Sequence, residues 1–213
     1  MPLYSMNCTT GAITQIGGYL HDIAEIAYKE TGPVLYGFSR QAGGQLYTIN
    51  TSNGTPTLVD GGGGLGNIQN IMYAPDTDTL YGYSPLDGGS FYSINQSTGV
   101  PTLLVNRGSV GFGGYKLGAY DSAGGVLLYN GKSVAFVIAT DGTVAATVED
   151  GVDTDVLAIS YNHTSSAIYT LRQGIVYRDN ADSSRDTITQ SGLKNIRTFC
   201  FTTDALNTAY LLG

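Results

Sequence analysis

Two stretches of this chain are near copies of each other, and that duplication constrains the fold more than any other feature. Leu35-Tyr36-Gly37-Phe38 leads to Leu46-Tyr47-Thr48-Ile49-Asn50-Thr51-Ser52-Asn53-Gly54, and Leu80-Tyr81-Gly82-Tyr83 leads to Phe91-Tyr92-Ser93-Ile94-Asn95-Gln96-Ser97-Thr98-Gly99. Each copy is followed by a Pro-Thr-Leu segment, at Pro56 and again at Pro101. The interval of about 45 residues suits one propeller blade of four short strands. Aromatic and β-branched residues dominate the repeated runs, and Asn, Gly and Pro punctuate them, which is the pattern of strands joined by tight turns.

The rest of the chain repeats the pattern more loosely. A first strand carries an aromatic at Tyr28, Tyr73, Tyr120, Tyr161 and Phe201, and a second strand carries one at Tyr36, Tyr81, Tyr129, Tyr169 and Tyr210. Within each pair the two stand eight or nine residues apart, the distance expected for a short antiparallel hairpin. Third strands follow at Leu46, Phe91, Ala135 and Ile175, but the fifth unit ends at Gly213 without one. The missing piece lies at the other end: Leu3-Tyr4-Ser5-Met6-Asn7-Cys8-Thr9-Thr10-Gly11-Ala12-Ile13-Thr14 matches the pattern of residues 46–57. The expected fold is therefore all-β, a five-bladed β-propeller of four-stranded blades, the last closed by N- and C-terminal strands. A ring of this kind buries the sheet edges and apolar faces that an open array would expose. The five intervals use the whole of residues 1–213, so a single domain is expected.

The unit Leu-Tyr-x-Ile-Asn-x-x-x-Gly at 46–54, with its variant at 91–99, resembles the short propeller repeats of many bacterial and phage proteins. Five blades in so short a chain are similar to the small tachylectin-like propellers. The Gly43-Gly44 and Gly88-Gly89 pairs look slightly kelch-like, but the chain has no Trp, so neither a kelch nor a WD assignment follows. The resemblance implies a fold and leaves function open, because propellers host lectins, scaffolds and enzymes alike.

Composition narrows the function classes. The net charge is −7, with 10 Lys and Arg against 17 Asp and Glu, which argues against nucleic acid and anionic membranes as partners. No apolar run approaches the roughly 20 residues of a membrane-crossing helix, and Met1-Pro2-Leu3-Tyr4-Ser5 lacks the basic-then-apolar order of a signal peptide. The two cysteines, Cys8 and Cys200, are expected to be unpaired, mostly buried thiols.

Most of the 16 tyrosines belong to the repeating ladder and are expected to pack blade against blade. Tyr19 and Tyr115 fall in loops between blades and are the candidates for an aromatic contact to a ligand. Six residues before each first-strand aromatic stand Asp22, Asn67, Gly114, Asp155 and Asn195. Four of these are short and polar, and they either ring the mouth of the central channel or close inter-blade turns onto backbone amides.

Metal and cofactor sites are not expected: two carboxylates without a calcium-type loop make a poor cation site. Gly61-Gly62-Gly63-Gly64-Leu65-Gly66 formally fits a phosphate-binding pattern, but Asn67–Tyr73 is expected to continue as a strand where such a loop needs a helix. His21 and His163 fall at opposite ends of blades, without triad partners. The chain is thus expected to be no enzyme, but a recognition or assembly module binding protein or glycan, with a phage or virus particle as its setting and capsid or tail proteins as candidate partners. A soluble lectin is the alternative, and a glycosidase-like enzyme using Asp22 and Asp155 a more distant one.

Overall fold

The Asn-x-x-x-Gly segment folds into the same turn three times. The side-chain oxygens of Asn7, Asn50 and Asn95 each accept the backbone N–H groups two and three residues ahead, at 2.8–3.3 Å. Gly11, Gly54 and Gly99 then adopt positive φ of 70°, 73° and 68°. Each donates its N–H back to the carbonyl of the turn's Asn, at 2.7–2.8 Å. Asn supplies the local acceptor and Gly the left-handed conformation that a side chain would resist. The identity of the three turns shows that residues 3–14 are a displaced copy of residues 46–57.

The computed structural model describes residues 1–20, 22–59, 64–86, 89–106, 117–121, 125–129, 134–138, 144–149, 156–162, 167–173, 175–179, 185–188, 196–202 and 208–213. The first turn joins β1 (Pro2–Asn7) to β2 (Ile13–Tyr19). Next come β3 (Ile23–Lys29), β4 (Val34–Ser39), β5 (Gln45–Ile49) and β6 (Pro56–Leu58), then β7 (Asn70–Ala74), β8 (Thr79–Ser84), β9 (Ser90–Ile94) and β10 (Pro101–Asn106). They are followed by β11 (Leu117–Asp121), β12 (Gly125–Tyr129), β13 (Val134–Ile138) and β14 (Val144–Glu149). The last strands are β15 (Val156–Asn162), β16 (Ala167–Arg172), β17 (Ile175–Asp179), β18 (Arg185–Thr187), β19 (Thr198–Phe201) and β20 (Thr208–Leu212).

Among the described residues these strands make five four-stranded antiparallel sheets, four of them from strands consecutive in the chain. The other has the order β19-β20-β1-β2, with Leu3 opposite Leu212, Ser5 opposite Tyr210 and Asn7 opposite Thr208. The innermost strands β3, β7, β11, β15 and β19 lie side by side in that order, and β19 returns to lie beside β3. The architecture is an all-β propeller, closed by pairing between the two ends of the chain.

The aromatic ladder packs one sheet on the next, as expected. Tyr28 of β3 lies 5.7 Å from Tyr210 of β20, Tyr120 of β11 lies 6.0 Å from Tyr81 of β8, and Phe201 of β19 lies 4.3 Å from Tyr169 of β16. In each pair the inner-strand ring rests on the second-strand tyrosine of the preceding sheet. Such pairs contribute about 0.5–1.5 kcal/mol beyond the area they bury. The tyrosine hydroxyls reach the preceding sheet's first turn at matching positions, Tyr73 to Thr31 at 2.7 Å and Tyr120 to Asp76 at 2.8 Å. The glycine of the Leu-Tyr-Gly motif has a packing reason: a Cβ on Gly37 or Gly82 would meet Ile49 or Ile68 side chains within 2.7 Å.

Cys8 and Cys200 are both buried and free, as expected. The segment after the glycine run differs from expectation. It turns at Gly66 and Asn67, where Ile68 N–H bonds the Leu65 carbonyl at 2.9 Å, and the strand begins only at Asn70. Leu65 and Ile68 are buried in the core between the first two sheets, so burying both side chains holds the backbone in a turn before the ladder starts.

Leu3 and Leu212 are fully buried, in one cluster with Ile23, Ile26, Leu35 and Ile49 of the next sheet. Leu3→Ala is therefore expected to cost about 2–5 kcal/mol, read as a lower urea midpoint with little change in slope. A loss below about 0.5 kcal/mol would show that the closing strand carries little of the stability.

Candidate functional site

Each innermost strand enters the ring at the same face, and the position three residues before its aromatic defines one layer of the channel. Those positions are Glu25, Asn70, Leu117, Ala158 and Thr198. Three are polar, and the structure brings them together. Glu25 accepts a hydrogen bond from Asn70 Nδ2 at 3.3 Å and another, very short, from the Thr198 hydroxyl. Asn70 and Thr198 are each 3% exposed, and Asn70 Oδ1 has no hydrogen-bond donor.

Burial dominates the Glu25 carboxyl and pushes its pKa up to about 8, against the opposing effects of the Thr198 hydroxyl, the Arg40 charge and the Asn70 amide. At neutral pH Glu25 therefore mostly holds its proton. The channel cavity is lined mainly by apolar and aromatic side chains, Ile26, Ile71, Met72, Ile159 and Phe199 among them, with Glu30 and Ser160 joining Glu25 as its polar members. It is only about 50 Å³, room for a few water molecules and for no organic substrate.

Open space lies along the closing sheet, on one side against Leu157 of β15 and on the other against the first sheet. Two grooves share the wall formed by Met1, Tyr19 and Arg197. One, about 550 Å³, continues over Pro2, Leu157 and Ile196; the other, about 400 Å³, continues over Asp22, Ile23, Ala24, Arg40 and Gln41. Tyr19 ends β2 with its side chain 63% exposed, and Leu157 beside it is 47% exposed. Arg40 Nη2 donates to the Gln69 carbonyl at 3.3 Å, which holds the guanidinium between the first two sheets. Asp22 is exposed and adopts a φ of 66°, a conformation that Asp tolerates better than most residues.

Sequence reasoning put Tyr19 in a loop between blades and Asp22 at the channel mouth or in an inter-blade turn; Tyr19 instead ends β2, and both line the groove. Asn67 is exposed in the turn before β7 and lines neither groove. Tyr115, Asp155 and Asn195 lie outside the described residues, as do His21 and His163, so the Asp22–Asp155 separation is not described. The polar layer itself was missed, because it sits three residues further along the strand than the positions compared. Its signal was a single acid in an otherwise uncharged run, Ile23-Ala24-Glu25-Ile26-Ala27-Tyr28. Arg40 and Arg197 were missed too, since one ends β4 and the other precedes β19, and only the closed ring sets them against the same groove.

At the opposite end of the first two sheets a polar clasp joins neighbours. Lys29 Nζ lies 2.6 Å from Asp78 Oδ1 and 2.8 Å from Gln96 Oε1. Tyr73 donates to Asp78 at 2.7 Å and Gln96 to the Asp78 carbonyl at 2.7 Å. Lys29 and then Tyr73 hold the Asp78 carboxyl down to about 2. Glu30, beside this clasp in sequence, is raised to about 7 by burial.

No family model matches the sequence, and no curated protein matches it. Solved structures do match, and their chains are β-propellers. A protein of unknown function from Bacteroides thetaiotaomicron is 14% identical with a TM-score of 0.54, over 87% of this chain and 49% of that one. The present chain thus spans about half the length of that relative. A nidogen/laminin complex gives 14% identity and a TM-score of 0.57, over 98% of this chain and 84% of the other. A gluconolactonase from Xanthomonas campestris gives 10% and 0.58, over 94% and 75%. A virginiamycin B lyase from Staphylococcus aureus gives 11% and 0.52, over 94% and 70%. At these identities the likeness defines a class, the β-propellers, and nothing narrower.

The carboxyls fix a pH profile of stability. Asp78, whose folded pKa is depressed, stabilises the fold above about pH 4 and loses that contribution as pH falls toward 2. Glu25 and Glu30, whose folded pKa values are raised, favour the fold fully below about pH 4.5 and lose that contribution as pH rises through 7 and 8. Thermal unfolding is expected to show greatest stability at about pH 4–5, and Glu25→Gln to flatten the alkaline decline. A decline of wild-type steepness in Glu25→Gln would show that Glu25 does not hold a proton in the fold.

Proposed function

We propose that the protein is a non-enzymatic recognition module, a five-bladed ring that presents the groove around Tyr19 to a ligand. The five sheets and the cycle of inner strands support the blade count. The observation that carries the functional reading is Tyr19, a large ring left 63% exposed on the wall shared by two grooves of about 550 and 400 Å³. Those volumes lie within the range of small-ligand sites, and an exposed Tyr offers contact area at low entropic cost.

Catalysis is disfavoured by where the two carboxyls with raised pKa, Glu25 and Glu30, sit: both line the small channel cavity. Glu25 has the raised pKa of a candidate acid or base, but it faces a channel cavity too small for an organic substrate. The lyase and the lactonase among the similar structures share the fold at 10–11% identity, which carries no chemistry to this chain.

Between glycan and protein as ligand, the aromatic wall and the groove dimensions favour glycan, and the tachylectin-like likeness of the repeats points the same way. A place on a phage or virus particle belongs to this proposal as its finer part. It rests on the resemblance of the repeats and on a weakly charged composition, with 13% charged residues. Co-purification with capsid or tail proteins tests it.

A glycan array probed with the full chain is expected to give selective binding that falls about tenfold or more in Tyr19→Ala at unchanged melting temperature. Binding that survives Tyr19→Ala and Leu157→Ala intact would remove the groove from the account. Turnover of any bound sugar, lost in Glu25→Gln, would overturn the non-enzymatic reading.

A further inference from the structure

Within the recognition reading, on which this step rests, the charges of the groove define the ligand more closely. We propose that it takes a carboxylate-bearing saccharide, with Arg40 and Arg197 on the carboxylate and the Tyr19 ring against a sugar face. The chain is acidic as a whole, at −7, but the groove reverses that sign. Among the described residues that line the two grooves, the charged groups are Arg40, Arg197 and the Met1 ammonium on the positive side and Asp22 and the Gly213 carboxylate on the negative side, which leaves the positive charges in excess. The Lys29–Asp78 ion pair is elsewhere, and among the described residues neither guanidinium has a carboxylate within ion-pair distance.

The carboxyl nearest in effect to Arg40 is Glu25, and burial keeps it mostly protonated at neutral pH against the opposing hydrogen bonds of Thr198 and Asn70. Arg40 therefore keeps its full charge for a ligand. The Gln69 carbonyl fixes that guanidinium at one edge and leaves other N–H groups free to meet an anion in the planar, two-point fashion that suits a carboxylate. Asp22 supplies an acceptor for sugar hydroxyls on the same wall. Tyr19 and Leu157 supply an apolar surface that a free inorganic anion would not use.

Isothermal titration of the full chain with trigalacturonate, its methyl ester and a hexaglutamate peptide tests the proposal. Trigalacturonate is expected to bind, and the uncharged ester to bind about tenfold more weakly or less. Arg197→Ala should lower affinity for the acid by about tenfold and leave the ester unaffected. Arg197→Lys should recover only part of the loss, because a point charge replaces a fork. Tyr19→Ala should weaken acid and ester alike.

Equal affinity for acid and ester would overturn the proposal, as would an Arg197→Ala variant that binds the acid like wild type. Binding of hexaglutamate in place of the saccharide, lost in Arg197→Ala, would overturn the ligand class while leaving recognition at the groove standing. A failure of recognition itself would instead appear as glycan-array binding indifferent to Tyr19→Ala and Leu157→Ala.

Discussion

Pairing between β1 and β20 is the contact on which the rest of this structure depends. Each sheet is small and needs a neighbour on both faces to bury its apolar side chains, so an open row would leave two faces and their backbone edges wet. Antiparallel hydrogen bonding from Leu3–Leu212 to Asn7–Thr208 removes both ends at once. It also builds the groove wall, since Tyr19 and Arg197 share it while β2 and β19 belong to one sheet.

The interior of the ring leaves little room in the channel. Side chains at successive levels of the inner strands fill the axis mainly with Ile, Met, Phe and Tyr, and Glu25, Asn70 and Thr198 form a hydrogen-bonded polar level among them. Burying a carboxyl there is tolerable because it can keep its proton and because two donors reach it. At neutral pH the protonated Glu25 brings no counter-charge to Arg40, which lines the groove.

Much of the fold was legible because its local chemistry repeats. The Asn-x-x-x-Gly turn needs a side-chain acceptor and a left-handed residue at a fixed spacing, so three copies of it could be aligned from sequence, including the one that belongs at the far end of the chain. The aromatic ladder was readable for the same reason, since each inner-strand ring must meet the preceding sheet's tyrosine. The start of β7 was not, because the burial of Leu65 and Ile68 that keeps the backbone turning is a tertiary effect. The site was half legible: Tyr19 and Asp22 stand out locally, whereas Arg40 and Arg197 are far apart in sequence and ordinary in context. The polar layer lay one comparison away, at a different offset from the same aromatics.

Amide hydrogen exchange along β1 measures ring closure directly, because an edge that merely rests on the sheet frays far below the global unfolding free energy. The account predicts that the hydrogen-bonded amides of β1 exchange as slowly as those of β4 and β8, opening only when the whole domain unfolds. Fast exchange along β1, with β4 and β8 still protected, would contradict it.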